Sequence, residues 1–111
     1  MTEQDIQTKV EIKISQLGGF PIRLNSGKAW QGRYVAGTIV NPRAIKLCPP
    51  GTADVLAVLP EGRVMWVELK TATGRQRESQ KRFQKQVEAL GHTYILCRSE
   101  TEYENFLKSQ G

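Results

Sequence analysis

Asp54-Val55-Leu56-Ala57-Val58-Leu59-Pro60-Glu61-Gly62-Arg63-Val64-Met65-Trp66-Val67-Glu68-Leu69-Lys70 is the stretch whose reading decides the fold. Its first six residues form a nearly continuous apolar run after Asp54, of the kind that fills a central strand. Arg63 to Lys70 is rich in β-branched and aromatic residues and reads as a second strand. Pro60-Glu61-Gly62 between them is short enough to make the pair an antiparallel hairpin. Strand side chains alternate, so Val64, Trp66, Glu68 and Lys70 share one face while Met65, Val67 and Leu69 share the other. Two charges on a strand otherwise built for burial need a reason, because a buried ion costs several kcal/mol unless it is paired or bound to a metal. Antiparallel pairing sets the start of one strand beside the end of the other, so Asp54 and Glu68 become neighbours although 14 positions separate them.

Downstream, the spacing of Phe83, Val87 and Leu90 predicts a helix over 76–90 with Gln80, one turn earlier, on the same inward stripe. Gly91 ends it. A strand over Thr93–Cys97 follows, and Ser99 with Glu102 forms a capping box for a last helix ending near Lys108. Upstream, Ile6, Val10, Ile14 and Leu17 recur at helical spacing between an N-cap at Thr2 and a stop at Gly18-Gly19. Glu3 lies on the end of that stripe, and Glu11 on its edge. Residues 20–25 read as a short strand leading into Ser26-Gly27-Lys28. Between Ala29 and Pro50 three strand-like pieces, 34–36, 38–40 and 44–47, are broken by Gly37 and by Asn41-Pro42, and their pairing stays unassigned. The alternation of helices and strands indicates one α/β domain over 1–111, a mixed central sheet flanked by helices.

The 111 residues suffice for one core and leave no room for a second specificity domain. No apolar run is long enough to cross a bilayer, and the polar, acidic start is unlike a secretory signal, so the expected location is the cytoplasm. Cys48 and Cys97 are far apart, without C-x-x-C spacing, and read as ordinary thiols. A net charge of +5 and a pI near 9.5 favour a polyanionic partner. Much of that charge is local: Arg75, Arg77, Lys81, Arg82 and Lys85 crowd one span, either a DNA-contacting surface or a solvated helix face. Arg23, Asn25 and Lys28 read equally as phosphate contacts or as a polar turn. Trp30 and Tyr34 fit stacking on an unpaired base, a dimer surface or the core. The lone His92 follows Gly91 at a helix end and reads as a turn residue, which disfavours nucleases built on a histidine base.

Asp54, Glu68 and Glu3, with Glu11 as the alternative to Glu3, are carboxylates for one neighbourhood. Two carboxylates held close repel unless a cation lies between them. An all-oxygen set without Cys or His suits Mg²⁺ or Mn²⁺, which keep several waters, and the Leu69 backbone carbonyl could complete the shell. Such an ion polarises a phosphoryl oxygen and acidifies a bound water, and Lys70 beside it can orient that water or neutralise charge. Phosphodiester hydrolysis follows. Glu-x-Lys alone recurs by chance, and an exposed Glu–Lys pair with an unrelated Asp in a turn is the competing reading. Trp66, on the face of Glu68, would wall the site or simply pack in the core.

Gly51-Thr52-Ala53-Asp54, Glu68-Leu69-Lys70-Thr71, Gly74-Arg75, Ser79-Gln80 and Gly91 together resemble the virus-type replication-repair nuclease (VRR-NUC) family of the PD-(D/E)XK superfamily. The opening Thr2-Glu3-Gln4-Asp5-Ile6-Gln7 and the segment Arg23-Leu24-Asn25-Ser26-Gly27 resemble its small phage-borne members, so the likeness spans nearly the whole chain. The resemblance implies a restriction-endonuclease-like core, Asp54 and Glu68 as metal ligands, Lys70 as the catalytic lysine, Gln80 as the active-site glutamine and Glu3 as the first helix's carboxylate. Ala53 departs from the proline of the superfamily's name, at a position that supplies no ligand. The resemblance further implies a dimeric DNA nuclease acting on branched DNA such as a four-way junction, in the host cytoplasm if phage-borne. The alternatives are a monomeric flap or nicking nuclease and a catalytically silent DNA-binding module.

Overall fold

The structure is a computed structural model that describes residues 1–24 and 28–110, without the side chains of 28–31, 33–34 and 45–46. Asn25 lies outside the described residues, as do the side chains of Lys28, Trp30, Arg33 and Tyr34. The elements in chain order are α1 (Glu3–Gln16), β1 (Phe20–Arg23), β2 (Lys28–Val35), β3 (Thr38–Lys46), β4 (Val55–Val58), β5 (Val64–Leu69), α2 (Glu78–Ala89), β6 (Thr93–Cys97) and α3 (Glu100–Ser109). Four strands form the central sheet in the order β1-β4-β5-β6. β4 lies antiparallel to both β1 and β5, whereas β5 and β6 run parallel with α2 as their crossover. The sheet is therefore mixed, as expected.

Each sheet face buries a different helix layer. Ile6, Val10 and Ile14 of α1 and Tyr103 of α3 close over Val55, Ala57, Met65, Val67 and Leu69. Val87 and Phe83 of α2 close over Trp66 and Tyr94 on the opposite face. Burying a Val, Leu or Ile side chain gives about 1.5–3 kcal/mol, so the period-2 pattern of β5 holds it between two helix layers. Thr2 caps α1 by accepting the Asp5 N–H at 3.1 Å, while the Asp5 carboxylate accepts the Thr2 N–H at 3.0 Å.

Four local expectations are corrected. β2 and β3 pair antiparallel over their whole lengths as a sheet of their own. Gly37 is indeed a turn, but Asn41-Pro42 is not a break: the two stand against the single Gly32 as a bulge inside β3, with Asn41 at φ 52°. A two-stranded ribbon leaves each strand an open edge, where a proline forfeits no ladder hydrogen bond. α2 begins at Glu78 rather than Gln76, because Arg77 stays extended. Leu90, expected on its inward stripe, is 78% exposed, since it caps the helix where the chain turns away at Gly91, φ 86°. At α3, Ser99 accepts the Glu102 N–H at 3.2 Å, but the Glu102 carboxylate takes the Arg98 N–H at 2.9 Å, so the box closes one residue early.

Candidate active site

The register Val55↔Val67 continues to Asp54 opposite Glu68 at the end of the β4–β5 hairpin. Asp54 is held there from two sides. Its carbonyl accepts the Leu24 N–H at 2.9 Å, and its carboxylate Oδ2 accepts the Leu69 N–H at 2.8 Å. Glu68 is 0% exposed, and neither of its carboxyl oxygens meets a hydrogen-bond donor among the described residues. Ionised, both side chains are acceptors only; a protonated Glu68 can donate to Asp54.

Electrostatics follow from that geometry. Burial first, then the hydrogen bond and charge of Asp54, push the Glu68 pKa from 4.5 up to about 9, and the pull of Lys70 does not offset them. In the metal-free protein Glu68 thus carries a proton at neutral pH. The folded state keeps that proton between about pH 4.5 and 9 while the unfolded chain releases it, so stability falls as pH rises through that window. Urea unfolding at pH 5 and at pH 9 is expected to show a steeper loss for the wild type than for Glu68→Gln, which keeps the neutral shape. Equal slopes would mean that Glu68 ionises as an ordinary carboxyl. A divalent cation must displace the proton, so its apparent affinity should climb with pH up to about 9.

Lys70 shares the face of Glu68 and is 8% exposed, and its ammonium makes no ion pair among the described residues. A buried, orphaned carboxyl next to a second carboxylate and an unpaired ammonium is costly without a further ligand, and it suits a hard cation bound through oxygen. No group of three or more His, Cys, Asp or Glu able to hold a metal exists among the described residues. Asp54 and Glu68 are thus a pair of carboxylates and not part of a larger acidic cluster among the described residues, a donor set that fits an ion retaining several waters.

Gln80 is 4% exposed, and its Oε1 accepts the Arg77 N–H at 2.8 Å. It thereby satisfies a free donor at the start of α2, which the guanidinium of Arg77, lacking any acceptor, cannot do. Gly51, at φ 88°, is buried against Ser79, whose backbone carbonyl occupies the space a Cβ would need, so the Gly51 turn and the first turn of α2 are in direct contact. Glu3 is exposed on the first turn of α1, yet close enough to Glu68 to be the smallest of the influences raising its pKa. Glu11 is engaged elsewhere, paired with Arg23 at 2.9 Å. Arg75, Arg77 and Lys81 are exposed around the start of α2, and Lys81 also lies 3.3 Å from Glu78. His92 is exposed in its turn.

Two positioning contacts had no local sequence signal. The Arg98 guanidinium donates from Nη1 to the carbonyls of Thr71 at 2.5 Å and Gly74 at 2.7 Å, pinning the turn that follows Lys70. Gln76 donates to the Tyr94 hydroxyl at 3.0 Å, and burial together with the Glu68 charge raises the Tyr94 pKa, so this phenol stays neutral. Both contacts join residues at least 18 positions apart.

No family model and no curated protein matches the sequence. Among solved structures, one titled "VRR_NUC domain" is 19% identical, superposes with a TM-score of 0.68, and covers 96% of this chain and 94% of its own. That likeness, over nearly the full length of both chains, shows the architecture: this protein has the restriction-endonuclease-like fold of a VRR_NUC domain.

Proposed function

We propose that this protein is a nuclease of the VRR-NUC family: a Mg²⁺- or Mn²⁺-dependent DNA endonuclease that acts as a homodimer on branched DNA such as a four-way junction. One observation carries the reading. The Glu68 carboxyl, without a donor among the described residues, lies opposite Asp54 and shares its face with the Lys70 ammonium, which makes no ion pair among them. Asp54, Glu68 and the Leu69 carbonyl would hold the ion, which when bound supplies a polarised phosphoryl oxygen and a more acidic water. Lys70 places its charge where negative charge grows as the phosphodiester is attacked. Gln80 keeps the first turn of α2 in place against the Gly51 turn. A junction has paired strands to cut, and a two-fold dimer presents one site to each.

The deciding experiment incubates the purified protein with duplex, flap and four-way junction DNA in Mg²⁺, Mn²⁺ or EDTA, with its mass followed by sedimentation. Junction cleavage by a dimer, abolished by EDTA, is the expected result. Cleavage that survives EDTA, or none with any DNA, would overturn the nuclease reading, and flap cleavage by a monomer would overturn its substrate and assembly.

The charge around α2 makes a separate prediction. If about three of Arg75, Arg77, Lys81, Arg82 and Lys85 meet phosphates, this region alone gives log K a slope near −2.7 against log salt. Arg77→Gln with Lys81→Gln should weaken binding alike on all sequences and flatten the slope by up to about two units. An unchanged slope would leave this stretch a solvated face.

A further inference from the structure

Beside the carboxylate pair lies a cleft of about 470 Å³ that the proposed chemistry does not use. Leu24, Pro49, Trp66 and Phe83 give it apolar walls, and Arg82 and Gln86 of α2 stand on its border. Trp66 sits on the strand face that carries Glu68, two residues back, a separation of about 6.6 Å along β5. That distance is about the stacked rise of two nucleotides. A slot with aromatic and proline walls suits a flat ring. The exposed Arg82 suits a phosphate attached to such a ring.

We propose that this cleft receives an unstacked nucleobase of the DNA, from a nucleotide whose stacking is broken at a branch point or bulge close to the bond held at Asp54 and Glu68. The proposal rests on the nuclease reading and adds to it the feature of branched DNA that the protein grips. Trp66 and Phe83, edge to face at 5.2 Å, provide the stacking surface, which favours any base because every base has a π face. Arg82 fixes the backbone of that nucleotide. Uninterrupted duplex offers the cleft nothing, since its bases stay stacked, so the cleft discriminates for nucleotides unstacked at a branch point or bulge and not for sequence.

The test measures binding in Ca²⁺ by fluorescence anisotropy, using a duplex with one bulged nucleotide, the same duplex with an abasic residue in the bulge, and the intact duplex. The bulged base is expected to bind about fivefold or more tighter than the abasic bulge, the effect of one base stacked on aromatic side chains. Gln86→Trp, at an exposed helix position on the border, should reach across the cleft mouth and bring that ratio below about twofold while intact-duplex affinity stays within about twofold. Phe83→Leu, with its melting temperature checked, should lower the ratio in the same direction. Equal affinity for the base and abasic bulges would overturn the cleft as a base site and leave the nuclease reading standing, as would a ratio that survives both variants. Absence of binding to any DNA would overturn both.

Discussion

Asp54→Asn and Glu68→Gln are each expected to abolish DNA cleavage in Mg²⁺ while leaving a folded protein that still binds DNA in Ca²⁺ or EDTA. The expectation of an intact fold comes from the contacts. Asn at position 54 retains an oxygen to accept the Leu69 N–H, now at 2.8 Å from Oδ2, and Gln at position 68 matches the neutral Glu68 of the metal-free protein in shape and charge. The loss of activity comes from the ligand count. If Asp54, Glu68 and the Leu69 carbonyl hold the ion as proposed, removing either charge leaves one carboxylate to bind it. Circular dichroism would check the fold, anisotropy the binding and a gel assay the turnover. A variant that cleaves near the wild-type rate would remove its residue from the metal site.

Lys70→Ala is expected to slow turnover by about 10²-fold or more, the order found when one preorganised charge is removed from a transition state. Metal affinity, measured by calorimetry, should change much less, because two effects oppose. Losing the ammonium removes a repelling charge, but it also removes the group that pulls the Glu68 pKa down. Lys70→Met is the matched control. It keeps most of the stem, which lies near Gly74, so a similar loss in both variants assigns the effect to charge and not to packing. Weakened metal binding with full turnover at saturating metal would reverse these roles.

Much of this was legible in the sequence, for a reason rooted in backbone geometry. Period 2 in Val64–Leu69 and period 3.6 in Ile6, Val10 and Ile14 are properties of local conformation, so the residues alone specify strand, helix and buried face. The short Pro60–Gly62 turn permits one pairing, antiparallel, and that pairing by itself places Asp54 against Glu68. Inward Gln80 followed from its place one turn before Phe83. Less came through where neighbours in space decide. Asn41-Pro42 reads as a break in any one strand, and only its partner Gly32 makes it a bulge. Leu90 fits the helical period, yet the chain's turn at Gly91 leaves it in solvent. Arg98 on Thr71 and Gly74, and Gln76 on Tyr94, depend on β6 lying parallel to β5, a pairing that no local pattern encodes. The sequence by itself determined the elements, their buried faces and the Asp54–Glu68 pair, because local periodicity and one tight turn suffice for these. Only the tertiary structure decided that Glu68 has no donor among the described residues, that Glu11 belongs to Arg23 and that a cleft opens beside Trp66, because burial and hydrogen-bond partners exist only once the layers are packed.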